Sequence, residues 1–460
     1  MKLSNATLVT SSLLVASASA ALAAPAPASS STSNIEARSA PVHLPVRKRD
    51  IQKRSGNVLL NWANEQKSIL QSKYHLSSPS DKTRRAGSSA LTNVQYDSSW
   101  VASLNGGTPS REYEVVLDTG SADLWISSQY YQPSQSSSFN NRSTPFDIQY
   151  GSGEVAGYQA TDTFSLAGTT VQDLNFAVAT QVSSGLTSSN MEGIMGMGFQ
   201  RLASSGEPPF WIAAGLDTFS FYLERASLSS SDSTQPGGVF TLGGTNSSLY
   251  QGDVSYNPLI EELYWMVRLG GIGTRDSDVN LNSLTRAAID TGTTLIGGPD
   301  SVVQSLYAQI PGSQSQGNGY YSFPCRTSVG ATMTFNGIQY SIPDSDFIAG
   351  TLDSSGSKCL GAFFGLGSSS QTDLQWIVGD AFLKNVYSIF TTNGNGNGAA
   401  VGFASLANGL NTGTSARRVG AGSSGGGSSS GSTSPADKVV ASWSFVAGGV
   451  LTSMIALTIL

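Results

Sequence analysis

Histidine is nearly missing from this chain: His43 and His75 are the only two in 460 residues. Both fall in an N-terminal stretch that reads as removable, which leaves a mature chain with none. That excludes Ser-His-Asp and Cys-His catalysis and the His-ligated zinc sites of metallopeptidases. No GxxxxGK[ST] phosphate loop occurs either. Cysteine is as sparse, with Cys325 and Cys359 alone, too few for a four-ligand structural metal site. In a secreted chain the pair reads as one disulfide, worth on the order of 3–4 kcal/mol by chain entropy; two free buried thiols are the alternative. Charged residues make up only 12%, while glycine reaches 51. This mixture suits a secreted, turn-rich β protein, and the length exceeds what one hydrophobic core supports. No metal, cofactor or nucleic-acid partner is expected.

The chain divides by composition. Residues 1–23 carry Lys2, a run of small and apolar residues and A-x-A cleavage options near Ala20 or Ala23, the pattern of a secretory signal rather than a membrane span. Residues 24–85 hold 11 basic and 4 acidic side chains, with dibasic pairs ending in Arg84-Arg85. Within them Leu59, Leu60, Trp62, Ile69 and Leu70 have helical spacing. This stretch reads as a prosegment cut after Arg85, with a basic surface linker as the alternative. Residues 86–416 reverse the balance, 26 acidic against 10 basic. A basic prosegment on an acidic body is an electrostatic latch that weakens as carboxylates protonate. The body reads as strands (EYEVVLDT, FDIQY, VFTLGG, YWMVRL, MTFNGIQYSI) with few helices, one of them near 301–310. Two catalytic lobes are expected, 86–256 and 257–408. A Gly/Ser-rich linker over 409–431 and an uncharged tail within 432–460 follow. Small residues at Ser429, Ser430 and Gly431, a polar spacer and a terminal apolar run make a GPI-anchor signal; a tail-anchored helix is the alternative.

The chemistry-bearing signal is an internal echo. VVLDTGSADLWI surrounds Asp118, and AAIDTGTTLIGG surrounds Asp290, 172 residues later. One Asp-Thr-Gly is a common turn; two, each after an apolar strand and before a hydroxyl residue, point to a carboxylate pair. Two carboxyls held close share a proton, so one serves as base and the other as acid on an attacking water. Gly120 and Gly292 permit close backbone approach. Ser121 and Thr293 can orient the outer carboxylate oxygens, and Thr119 and Thr291 can tie the two loops together.

With these residues in view, the chain over roughly 86–405 resembles the pepsin-like aspartic proteases. DTGSADLWISS resembles the family's first active-site loop, with Trp125 behind it. FDIQYGSGEVAG resembles the flap, with Tyr150, Gly151 and Ser152 at its tip. GIMGMGF and WIVGDAFLKNVYSIF resemble the segments that follow each DTG, Gly196 lying 78 residues after Asp118 and Gly379 89 after Asp290. The resemblance implies an all-β, two-lobed fold with a cleft between the lobes. It implies acid-active endopeptidase chemistry on extended polypeptides, a monomer, a disulfide between Cys325 and Cys359, and a prosegment acting as intramolecular inhibitor. Lys73-Tyr74 would then insert the ammonium between the two aspartates. Two departures, WVASLNGGTP before the first strand and the missing N-terminal-lobe disulfide, leave loop geometry and specificity open.

The chain also resembles anchored secreted members of fungal type, the yapsins among them, which implies secretion to a cell surface and membrane contact only through a lipid. Asn141 and Asn246 open glycosylation triplets. A catalytically idle relative that binds peptides is the competing reading; two intact DTG[ST] motifs favour the enzyme.

Overall fold

The computed structural model describes residues 42–48, 56–74, 97, 99–150, 153–183, 186–187, 191–226, 235–367, 373–394, 396–410 and 416–418. All fall in one unit, residues 1–418. The expected signal, the Arg84-Arg85 cut site and the expected anchor signal lie outside the described residues.

The fold is built from strands, as the β-branched and aromatic runs require. A 13-stranded sheet runs from Tyr250–Pro258 at one end to Asn140–Tyr150 at the other. A second sheet carries Arg286–Ile289, Ile296–Gly298 and Trp376–Val378, and a small four-stranded sheet lies between Gln314 and Gly361. The expected lobe boundary at 256/257 falls inside the strand Tyr250–Pro258, which pairs with Ala400–Leu406. Within the expected linker, Ala416–Arg418 forms a strand against Ile338–Ile342. MTFNGIQYSI folds as a hairpin over Asn336-Gly337, both at positive φ. That is the backbone that an Asn-Gly pair accepts with little strain.

The two halves repeat one arrangement. Arg111–Asp118 pairs in parallel with Gly193–Gly196, which pairs antiparallel with Leu124–Ser127. Arg286–Ile289 pairs in parallel with Trp376–Val378, which pairs antiparallel with Ile296–Gly298. Each DTG loop therefore turns over the glycine of the matching apolar segment. A Cβ on Gly196 would sit 2.4 Å from Ala122, and one on Gly379 would sit 2.2 Å from the Thr293 carbonyl, so only glycine lets these segments pass beneath the loops.

Between the halves lies an aromatic cluster. Trp265 stands 4.5 Å from Phe199, 5.3 Å from Phe390 and 5.6 Å from Phe219, ring centre to ring centre. Its indole N–H donates to the Met197 carbonyl at 2.9 Å. Burial of such rings supplies roughly 1.5–3 kcal/mol each.

The basic N-terminal stretch is part of this fold. Val42–Lys48 is a strand between Gln235–Leu242 and Trp100–Gly106. The helix Gly56–Lys73 buries Leu59, Ala63 and Leu70 with the following Tyr74, and lies against the strands Asn140–Tyr150 and Ile348–Thr351. Of the positions expected from helical spacing, Leu59 and Leu70 are buried and Leu60 and Trp62 pack partly; Ile69 is a position whose side chain lies outside the description. Spacing alone passed over Ala63 and Tyr74.

A buried charge cluster joins remote parts of the chain. Lys384 reaches Asp97 at 3.1 Å and Asp346 at 3.0 Å, and Asp346 also accepts from Arg225. Burial raises the Asp346 carboxyl, but Lys384 and Arg225 more than offset it and hold it below its usual range. Asp346→Ala would leave two cations facing an emptied site. It should destabilise the protein by about 3–5 kcal/mol, read as a lower denaturant midpoint with unchanged slope.

Candidate active site

Asp118 closes the strand Arg111–Asp118, and Asp290 follows Arg286–Ile289 directly. Both are buried, 2% and 0% exposed. The loops supply every partner the sequence suggested. The Gly120 N–H donates to Asp118 Oδ1 at 2.9 Å, and the Gly292 N–H donates to Asp290 Oδ1 at 2.9 Å. The Ser121 hydroxyl donates to Asp118 Oδ2 at 2.5 Å, and that of Thr293 to Asp290 Oδ2 at 2.7 Å. The two threonines cross-link the loops reciprocally. The Thr119 N–H donates to Thr291 Oγ1 at 3.1 Å, and the Thr291 N–H to Thr119 Oγ1 at 3.0 Å. Each hydroxyl then donates onward across the interface, Thr119 to the Ile289 carbonyl and Thr291 to the Leu117 carbonyl. Four hydrogen bonds thus fix one carboxylate against the other.

The glycines are needed for space. A Cβ on Gly292 would lie 2.3 Å from Asp118 Oδ1, and one on Gly120 would lie 2.7 Å from Asp290 Cγ. Trp125 is fully buried and packs with Phe146, Val155 and Ala177.

Into this site comes Lys73. Its ammonium donates to Asp118 Oδ1 at 2.8 Å and to Asp290 Oδ2 at 2.9 Å, and the Tyr74 hydroxyl donates to Asp290 Oδ2 at 2.9 Å. The Tyr74 ring rests 4.7 Å from that of Tyr264. Burial pulls the Lys73 ammonium down, yet the two carboxylates outweigh it and its pKa is raised. Burial lifts the Asp118 carboxyl; Lys73 opposes, the Asp290 charge adds, and the net direction is up. Burial acts on Asp290 too, but Lys73 and the Thr293 hydroxyl prevail, and its net direction is down. Two matching motifs thus give unequal carboxyls, because the hydrogen bonds converge on Asp290.

Other expected residues are placed as follows. Asn140–Tyr150 and Gly153–Leu166 form a hairpin with Tyr150 opposite Gly153. Gly151, Ser152 and the side chain of Tyr150 lie outside the description. Cys325 and Cys359 form a disulfide. Asn141 is exposed and Asn246 partly so; each side-chain oxygen accepts from the serine two residues on, Ser143 N–H at 2.7 Å and Ser248 Oγ at 2.7 Å. Sequence reading missed Tyr264, Asn318, Tyr320 and Leu366, which receive the N-terminal helix. The Tyr320 hydroxyl donates to the Ala63 carbonyl, Lys67 donates to the Asn318 carbonyl at 2.7 Å, and Gln71 donates to the Leu366 carbonyl. None of these positions carries a motif that would have announced it.

Two buried carboxyls that face each other from matching loops, bridged by one ammonium group, are the arrangement expected of an aspartic-type peptidase site. The family model described as eukaryotic aspartyl protease matches residues 99–406. Similar proteins include "Major aspartyl peptidase 1" of Cryptococcus neoformans, 38% identical over 72% of this chain and 73% of that one. Others are "Aspartic protease" of Phaffia rhodozyma, 35% identical over 75% and 86%, and "Cathepsin E" of Aquarana catesbeiana, 30% identical over 77% and 90%. The chain belongs to the eukaryotic aspartyl protease family, and it is an aspartic endopeptidase.

The glycine contacts give a direct test. Gly292→Ala forces a carbon into the space of Asp118 Oδ1, and displacement of a reacting group by about 1 Å costs on the order of a hundredfold. The variant should still fold, with a melting temperature lowered by overpacking worth about 1–3 kcal/mol, and lose about two orders of magnitude in kcat/KM on a peptide substrate.

Proposed function

We propose that Asp118 and Asp290 are the catalytic pair, acting on a water held between them, and that the chain is a zymogen whose N-terminal segment blocks that position. The observation that carries this reading is the Lys73 nitrogen within 2.8 and 2.9 Å of one oxygen of each carboxylate. An atom that reaches both carboxylates occupies the place from which a water would donate to one and be polarised by the other. In the freed enzyme, one carboxylate takes the water's proton while the protonated partner donates to the carbonyl oxygen of the scissile bond. Aspartic proteases are themselves the type case of two carboxyls sharing one proton, so the pH logic is the family's own. Ser121 and Thr293 hold the outer oxygens, the threonine cross-link fixes the separation, and Tyr150, Gly151 and Ser152 take the part of the family's flap over an extended peptide.

The pKa directions supply the activation sense. Asp290 is depressed in the docked state. The docking energy it contributes is therefore fully present above the usual aspartate range and is lost as pH falls through the depressed value. Lys73 lowers Asp118 as well, against a rise set by burial, so protonation of either carboxyl takes a partner from the ammonium. Acid therefore releases the segment and leaves the pair sharing a proton. We also propose that the chain is secreted as a monomer, glycosylated at Asn141 and Asn246, cut after Arg85 and held at a fungal-type cell surface by a GPI lipid near Ser429–Gly431, as in yapsin-type members. The tail composition and the basic dipeptides support that part of the reading.

Purified protein should cleave denatured globin between about pH 3 and 6 in a pepstatin-sensitive manner, and Asp118→Asn should abolish that cleavage; no such activity at any of these pH values sinks the reading. Lys73→Ala removes a buried ion-pair partner worth about 3 kcal/mol or more. The unprocessed variant should show activity at a pH where the wild-type precursor is silent, and unchanged latency would count against the blocking role.

A further inference from the structure

The N-terminal helix touches the body at a second polar site away from the carboxylates. Lys67 and Gln71, one helical turn apart, face the same wall. The Lys67 ammonium donates to the main-chain carbonyl of Asn318 at 2.7 Å, and the Asn318 amide donates to Asn64 Oδ1 at 3.2 Å. Asp300 borders the same wall: its Oδ1 accepts from the Gly367 N–H, next in the chain to the Leu366 carbonyl that receives Gln71, and its charge opposes the lowering that burial imposes on Lys67. One Asp300 oxygen is spent on the Gly367 N–H at 2.9 Å; no hydrogen bond to the other is present among the described residues. Asp300 also opens the helix Asp300–Ala308, where a negative charge is favoured.

These groups make a cation-accepting patch on the surface that receives the N-terminal helix, and in the precursor its cation is supplied by the chain itself. The six residues from Lys67 to Lys73 span about 9 Å of helix. An extended peptide covers that distance in about three residues. We propose that, once the N-terminal helix has left, Asp300 and the Asn318 carbonyl select a lysine or arginine side chain of the substrate about three residues from the bond that is cut. The patch is then a specificity site for basic polypeptide segments. It rests on the catalytic reading above, since the distance is counted from the carboxylate pair.

The test uses the acid-processed enzyme and matched fluorogenic peptides that differ only in lysine against norleucine at the third residue from the cleaved bond, on either side. Wild type should prefer lysine by about tenfold in kcat/KM on one side only, with the difference in KM and kcat unchanged. Salt at about 0.5 M should shrink the preference, since an exposed charge pair is screened. Asp300→Asn should keep the rate on norleucine peptides and lose at least threefold of the lysine preference, while Asp300→Glu should retain most of it. Equal cleavage of both peptides by wild type, or full lysine preference in Asp300→Asn, overturns the proposal. Should Asp300→Asn fail to fold, the wild-type peptide pairs and their salt dependence decide alone. Failure of wild type to cut either peptide would instead count against the catalytic reading.

Discussion

Two negative charges buried side by side repel strongly, and the rest of the molecule is arranged to make that juxtaposition tolerable. Each carboxylate is held by a main-chain N–H and a hydroxyl from its own loop, and each loop is held by a threonine of the other. Small residues are forced wherever the loops close on each other, and the apolar segments ending in Gly196 and Gly379 fill the space beneath. The pair cannot drift apart without breaking the threonine cross-link, and it cannot approach further without colliding with the glycine backbones. In the precursor the remaining repulsion is met by one ammonium group.

The scaffold behind the pair explains how two half-sites from distant sequence become one. The strands that lead into the two aspartates are flanked alike, one parallel and one antiparallel neighbour meeting at the same glycine. The aromatic cluster around Trp265 draws on both halves, since Phe199 and Phe219 come from one and Phe390 from the other. At the back, Lys384 and Arg225 close on Asp346 and Asp97. Each of these contacts constrains how the halves sit, and so the separation of the carboxyls.

Much of this was legible in the sequence because the relevant constraints are local. The repeated Asp-Thr-Gly with a following hydroxyl predicts the loop hydrogen bonds, since a serine or threonine three residues on can reach only a few atoms. Gly196 and Gly379 were legible for the same reason. What escaped was the set of groups that receive the N-terminal helix. Asn318 offers a backbone carbonyl, which any residue has, and Leu366 does the same; identity carries no signal where the main chain does the binding. Ala63 was invisible because apolar spacing rules look for large side chains, while close helix packing favours a small one. The inequality of Asp118 and Asp290 also could not be read from two nearly identical motifs, because it depends in part on how Lys73, which enters from far upstream, meets the two carboxyls. The expected break at 256/257 marks no gap in the chain's pairing, because a single strand runs across it.

The strand Val42–Lys48 lies inside the largest sheet, with a neighbour on either side, and not on its rim. Hydrolysis of the chain downstream of it would break one covalent bond and none of those ladder hydrogen bonds. Scission and departure are therefore separate events, and a nicked molecule can stay assembled and silent. Were the strand to leave, it would open a slot in the middle of the sheet with two unpaired edges, a liability that another segment would be favoured to cover. Maturation by loss of that strand would in this sense be a change of partners within the fold, harder to reverse than to begin.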